Sequence, residues 1–466
     1  MRKIVDRLLP AAMATYLVVL PLLSTHDFGA HNLSRIAQLL LLLVGALALL
    51  MHQRPLDLSG SLKPWLAGGL TLLTLASTAS SALPMIALQE LALDLGLISL
   101  AVCWARACSP PDSIRMWTIP ILASSLYVGL QVLIYGAALA TAQPASSWLL
   151  SFGYDNPRFL NHTQTLLIPL LVGAAGSSGL SRRWRIAAGA AAVGQLTMLL
   201  VTLGRGTMLA LLVSGAFAAV ALRKEEGRRY AYRLALVTGA GLAAYLLLFV
   251  WLPSAIGAPD AASPTLLTEA GGDHSRLKLW QIALDDIRTH PLLGIGPMHF
   301  AHYPNPTAAH PHNIYLQIAG EMGLPALGLL ASAVMLLMHR AWRLLRALPA
   351  GPQADIALAA FIACTAALLD GLVSGNFVMP MPQVWIVFSA GLLAGSLRQA
   401  SASPNSSRNI PALDWALRIA VLASQLWLVQ VALSQALSTP PRIADYSASL
   451  LQDDKHRPRF WLDGWF

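Results

Sequence analysis

Apolar stretches close to the ~20 residues that a helix needs to cross a bilayer recur along the whole chain, and polar residues are confined to short intervals between them. Windowed hydropathy predicts thirteen such segments, at roughly 8–24, 34–51, 64–80, 85–105, 116–139, 163–178, 186–203, 207–222, 234–252, 314–338, 355–373, 383–397 and 412–435. Helices rather than a barrel fit stretches of this length, because a helix satisfies its own backbone polar groups in hydrocarbon. The expected architecture is an all-α, polytopic integral membrane bundle of about 12–13 transmembrane helices. It divides into helices 1–9 over 1–252, a loop over 253–312 with short helices, further spans over 313–435, and a tail over 436–466. The first segment follows Met1 to Arg7 but has no small-residue cleavage site, and another span comes at once, so it reads as a helix rather than a signal peptide.

Composition supports this class. Of 466 residues, 56% are hydrophobic and 11% charged, against roughly 25% charged in a soluble domain. Arg54 and Lys63, Arg106 and Arg115, Arg182, Arg183 and Arg185, the run Arg223 to Arg229, and Arg340, Arg343 and Arg346 fall in alternate short loops. The positive-inside rule makes those loops cytoplasmic and turns 140–162, 253–312 and 374–382 to the opposite side. The net charge of +9 is then mostly topology; it is scattered among loops, so no nucleic-acid footprint is expected. Cys103, Cys108 and Cys364 lie in or beside apolar segments and have neither metal-ligand spacing nor the look of a disulfide framework.

Candidate chemistry gathers in the loop before the tenth segment. Leu277, Trp280, Leu284 and Ile287 predict an amphipathic helix from about Ser275 to Arg288, lying on the outer membrane face. Six of the 12 histidines follow or open it: His274, His290, His299, His302, His310 and His312. Their spacing matches no zinc signature, so no metal site is assigned, and four or five of them read as interfacial surface residues. Pro311-His312-Asn313 stands immediately before the segment 314–338, where an imidazole, whose ordinary pKa is about 6.5, is suited to act as a base.

Two arginines sharpen the picture. Arg205, in Gly204-Arg205-Gly206, sits between two apolar segments with almost no loop to place it in water, and such a charge is normally kept to meet a partner. It either snorkels to the headgroups or binds an anion. Arg276 stands at the head of the loop helix, and guanidinium suits bidentate binding of phosphate oxygens. Arg158 would add a third cation, His310 would help bind an acceptor, and Asn313 would orient His312. Glu321 reads equally as a bundle-facing structural carboxylate, Gly294 and Gly296 as turn residues, and Glu90 with Asp94 as a polar packing contact on one helix face.

The order of Gly204-Arg205-Gly206, Arg276-Leu277-Lys278-Leu279-Trp280, His290-Pro291-Leu292-Leu293-Gly294-Ile295-Gly296 and Pro311-His312-Asn313 with Glu321 and Gly323 resembles the O-antigen ligase and polymerase superfamily, over about 150–345 by motif. The resemblance implies a glycosyltransferase of the bacterial inner membrane, with its active site facing the periplasm and no cofactor or metal. The ligase branch, which it favours, moves a glycan with inversion from an undecaprenyl-pyrophosphate-linked donor to the lipid A-core acceptor. His312 would then be the base, and Arg205 and Arg276 the pyrophosphate clamp. The polymerase and the protein O-oligosaccharyltransferase use the same donor, and a transporter would show paired halves with discontinuous helices, which are not visible.

The tail departs from that pattern. A thirteenth span over 412–435 puts Arg457, Arg459, Phe460, Trp461, Trp465 and Phe466 outside, as an aromatic and basic interfacial anchor. One span fewer would move it to the cytoplasm.

Overall fold

The computed structural model describes residues 2–23, 29–51, 64–108, 113–222, 224–257, 274–302, 305, 308–398, 411–438, 459–462 and 464. Among them are α-helices and shorter helical turns but no strand. The helices are α1 (Arg2–Ala14), α2 (Ala30–Met51), α3 (Pro64–Ser80), α4 (Pro84–Ala107), α5 (Ser113–Met116), α6 (Thr118–Ala140), α7 (Pro157–Gly176), α8 (Arg182–Thr202), α9 (Arg205–Ala221), α10 (Lys224–Tyr245), α11 (Leu252–Ile256), α12 (His274–Thr289), α13 (Ile314–Met322), α14 (Leu324–Ala347), α15 (Pro352–Asp370), α16 (Pro380–Leu397) and α17 (Pro411–Ser438). Proline opens several of them: Pro84, Pro157, Pro352 and Pro380 each stand first, where the missing N–H costs nothing and φ is already helical.

Among the described residues, nine helices are long and apolar enough to cross a membrane, and Arg7–Leu22 and Arg205–Ala221 are shorter apolar ones. The chain is a multi-pass helical membrane protein. Helix α7 forms the middle of the bundle, packed against α8 and α15, with every residue from Leu160 to Ala174 buried. It starts at Pro157, earlier than its apolar run at 163, because Asn156 caps it by accepting from the Arg158 N–H at 2.9 Å.

Two expectations need correction. The apolar run 314–338 is not one span, since Gly323 breaks it into the nine-residue α13 and the membrane-length α14. Gly323 has φ +87°, and a Cβ there would collide with the carbonyl of Leu292, so only glycine fits. Pro325 then stands in the first turn of α14, and the Leu324 N–H donates to the Pro291 carbonyl at 2.9 Å. An apolar run hides such a break because both pieces are hydrophobic. The second correction concerns the tail: Arg459 and Phe460 are buried inside the bundle, 1% and 4% exposed, and do not form an interfacial anchor. Arg457 lies outside the described residues, as do Trp465, Phe466 and residues 258–273.

The predicted amphipathic helix is present as α12, spanning one residue more at each end. Leu279 and Ala283 are its buried positions, packed with Phe300 and Ala308. Leu277 and Leu284 point outward, 55% and 40% exposed, on the face a membrane surface would cover.

Candidate functional site

The candidate residues collect at one end of the bundle, where α7, α9 and α13 begin and α15 ends. His312 sits in the turn before α13 with φ +52°, a left-handed conformation rare for a side chain of its size. Its N–H is 3.3 Å from Nδ1 of His310, which serves as acceptor. The two rings lie edge to face at 4.1 Å between centroids. His310 is buried and lies against Gly375, where a Cβ would crowd its ring. Asn313 caps α13, its side-chain oxygen accepting from the Tyr315 and Leu316 N–H groups, both at 3.0 Å. Asn313 thereby fixes the backbone next to His312.

Around this turn the helix is pinned from all sides. Trp280 of α12 donates Nε1–H to the Pro311 carbonyl at 3.1 Å, Ile314 N–H donates to Gly371 at 2.9 Å, and Tyr315 donates its hydroxyl to Leu368 at 2.9 Å. At the other end Ile295 and Gly296 donate N–H to the carbonyls of Gly320 and Glu321. Gly294 and Gly296, at φ +68° and +110°, make the turn this pairing needs.

The electrostatics at His312 identify its neighbours. Its pKa is pushed down to about 3, first by burial and then by the charges of Arg276, His162 and Arg158. His310 is driven well below its ordinary value, also first by burial, then by His312, Arg459 and two further histidines. His312 is therefore neutral near pH 7, and the residue as a whole is half-buried. Arg276 is half-buried, and Arg158 is exposed at the first turn of α7. A basic rim thus faces a neutral imidazole.

Arg205 stands exposed at the first position of α9. The sharp turn before it is made by Leu203 at φ +51°, another bulky residue in the left-handed region. Of the four non-glycine residues with positive φ among those described, Leu203, Met298 and His312 all lie in the segments carrying Arg205 and the histidines, so strain is concentrated at this end. Two side chains that the sequence did not single out tie the turn to the rest. Asp370, at the end of α15, lies 3.7 Å from Nδ1 of His162 and accepts the Ser374 hydroxyl at 2.7 Å and the Thr165 hydroxyl at 3.3 Å. A Cβ at Gly206 would come within 2.9 Å of the same carboxylate. Asn161, next to His162, receives the Thr202 hydroxyl on its side chain at 2.6 Å and the Thr207 hydroxyl on its carbonyl at 3.0 Å. The signal available in the sequence was the polar run Asn161 to Thr165 within a membrane segment.

The remaining histidines part ways. His290 is exposed, whereas His299 is buried, against the expectation of a surface residue. Its Nε2 accepts the Leu83 N–H at 3.0 Å and its Nδ1 faces the Pro297 carbonyl at 2.9 Å, so both ring nitrogens serve the fold. Among the described residues, no group of three histidine, cysteine or acidic side chains is placed to hold a metal ion.

A polytopic helical bundle thus carries cationic side chains around a neutral histidine at one end. Residues 190–331 match the model of the O-antigen ligase family, a span that includes Arg205, Arg276, His310 and His312 and stops short of Asp370 and the tail. The resemblance noted in the sequence thus coincides with a match to the O-antigen ligase family over this span, which supports a function of the ligase or polymerase family. No curated protein matches the chain.

Proposed function

We propose that this protein is an inverting, metal-independent glycosyltransferase that moves O-antigen glycan from undecaprenyl pyrophosphate to the lipid A-core oligosaccharide, at the periplasmic face of the bacterial inner membrane. The observation that carries it is the neutral, half-buried His312 held in a strained turn beside Arg276 and Arg158. A sugar hydroxyl is a poor nucleophile until a base takes its proton. In the proposed step, an imidazole nitrogen of His312 accepts that proton while the acceptor oxygen bonds to the anomeric carbon. The bond from that carbon to the pyrophosphate oxygen breaks, and the electron pair leaves on the lipid pyrophosphate. Arg205 and Arg276 stabilise the charge that accumulates there, and Arg158 extends the same rim. His310 anchors the His312 backbone and lines the acceptor side, and Asn313 sets the helix that follows.

Polymerase and protein O-oligosaccharyltransferase readings share every donor-side residue, so the acceptor is the point to test. Purified protein is incubated with lipid-linked donor and, in separate arms, lipid A-core, a second lipid-linked repeat unit, or a secreted acceptor protein. Transfer to lipid A-core, loss of transfer by about 10²–10⁴-fold in His312→Ala with donor binding retained, and insensitivity to EDTA are expected. Transfer only in another arm reassigns the acceptor. A His312→Ala protein that keeps most of its rate removes the base, and EDTA inhibition reversed by a divalent ion removes the metal-free mechanism.

A further inference from the structure

The C-terminal segment 459–462 enters the bundle at the end that carries the histidines. The Phe460 carbonyl accepts from Nε of Arg35 at 3.0 Å and lies 3.2 Å from Nε2 of His31, both on the first turns of α2. The Leu462 N–H donates to Asn32 at 2.8 Å, and Trp461 donates Nε1–H to Gln435 of α17 at 3.0 Å. These contacts deliver Arg459 to an acidic centre. One of its amino groups donates to both oxygens of Glu321, at 2.8 and 3.1 Å, and to Glu90 at 3.3 Å. Asp94 and Arg35 lie within electrostatic reach of the same group.

Glu321 joins most of the parts that hold α13. Its side chain accepts the Phe300 N–H at 3.1 Å, and its carbonyl accepts the Ser77 hydroxyl of α3 at 3.0 Å and the Gly296 N–H at 2.8 Å. Both of its carboxylate oxygens are oriented by Arg459. Helix α13 has nine residues, and its N-terminal end begins two residues after His312. In so short and rigid an element, a shift at the C-terminal end reaches the turn that carries the imidazole.

We infer that Arg459 is a positioning residue for the transfer step, acting through Glu321 to fix α13 and with it the placement of His312. The inference rests on the reading of His312 as base. A buried carboxylate tolerates burial through its counter-charge, and removing one partner leaves the other uncompensated. Without Arg459, the carboxylates of Glu321, Glu90 and Asp94 face Arg35 alone among the groups named here. Glu321 then either takes a proton or turns away, and in doing so loosens the Phe300 loop. Misplacement of a reacting group by about 1 Å costs on the order of 10²-fold in rate. The loss should fall on kcat, because the cations assigned to the donor are on other elements.

The test uses full-length protein in detergent or proteoliposomes, with Arg459→Gln, Arg459→Lys, Glu321→Gln and the double variant Arg459→Gln/Glu321→Gln, each scored per folded molecule. Arg459→Gln should lower kcat by about 10–100-fold, with donor KM within roughly threefold of wild type. Arg459→Lys, which keeps the charge, should retain more of kcat. The double variant should lie between Arg459→Gln and wild type, because the carboxylate on α13 that lost its partner is also gone, and the two losses should not add. A folded Arg459→Gln with kcat within twofold of wild type overturns the inference, even if its melting temperature falls. Should Arg459→Gln fail to fold, a double variant with wild-type kcat overturns it instead. His312→Ala is measured alongside. If it retains full rate, the base reading fails by that result alone, whatever the Arg459 series shows.

Discussion

Lowering the pH tests the proposed base directly. An imidazole with the ordinary pKa of about 6.5 would be roughly nine-tenths protonated at pH 5.5, and a reaction that needs its free nitrogen would lose about tenfold in rate. His312 is pushed down to about 3, first by burial and then by Arg276, His162 and Arg158. At pH 5.5 well under about 1% of it then carries a proton. Protonation removes the base and the pKa lies far below the range, so kcat/KM, which reports the free protein, should stay flat from pH 8 to 5.5. Bound pyrophosphate offsets the arginine charges and raises the imidazole, so the acid limb of kcat, which reports the complex, should appear at higher pH than that of kcat/KM. Arg276→Gln removes the largest of the three charge effects while leaving burial in place, and its weak residual activity should show an acid limb moved upward. The assay is the initial rate with lipid-linked donor across pH 5–8.5, each sample also returned to pH 7.5 to check recovery. A reversible tenfold fall in wild-type kcat/KM between pH 7.5 and 5.5, centred near 6.5, would refute the reasoning.

Further perturbations follow from the same geometry. Arg205→Ala and Arg276→Ala should each nearly abolish transfer at equal protein amount, with lysine a poor substitute because it lacks the bidentate fork; full activity of Arg205→Ala would return that exposed side chain to headgroup snorkelling. His310 and His312 are both held neutral in the folded chain and take up protons once unfolded. Stability in detergent should therefore fall as pH drops below about 6.5, by up to about 1.4 kcal/mol per pH unit for each, and an unchanged melting temperature at pH 5.5 would contradict their burial. Gly323→Ala should destabilise strongly, since it meets both positive φ and the Leu292 carbonyl, whereas Gly328→Ala, with open space around it in the interior of α14, should be neutral or stabilising by up to about 1 kcal/mol. Topology can be read by impermeant thiol labelling of Gln281→Cys on α12 and Glu225→Cys on α10, both exposed; Gly227 is unsuitable because a Cβ there would strike the Ala218 carbonyl. Labelling of Glu225→Cys in intact spheroplasts would invert the proposed orientation.

Signals carried by neighbouring residues were legible in the sequence. Pro311-His312-Asn313 stands out as a polar segment immediately before an apolar run, although the capping role of Asn313 emerges only in the structure, and α12 appears through its own periodicity. The class of protein followed from apolar length alone. Pairings across the chain left no such trace. Asp370 meets Thr165 across 205 positions and Arg459 meets Glu321 across 138, and nothing local to either residue names its partner. The tail looked like an anchor because aromatic and basic residues suit both a headgroup layer and a buried ion-pair centre, and only the complementary carboxylates distinguish the two. The break at Gly323 was hidden for the opposite reason, since hydropathy averages over a turn that involves only one residue.

Helix α7 has a consequence for how the chain is made. Wrapped by neighbours from Leu160 to Ala174 and carrying Asn161, His162, Thr163, Gln164 and Thr165 in its first turns, it has no lipid-facing surface to recommend it to a bilayer. A helix of this kind enters the membrane poorly by itself and depends on helices synthesised after it, here α8 and α15, to shield its polar groups. The same residues that equip the end of the bundle for chemistry thus make insertion order a condition of reaching the active shape. Substitutions in α8 or α15 that leave every candidate catalytic group untouched would then lower the amount of correctly threaded protein before they altered the rate of any molecule that had folded.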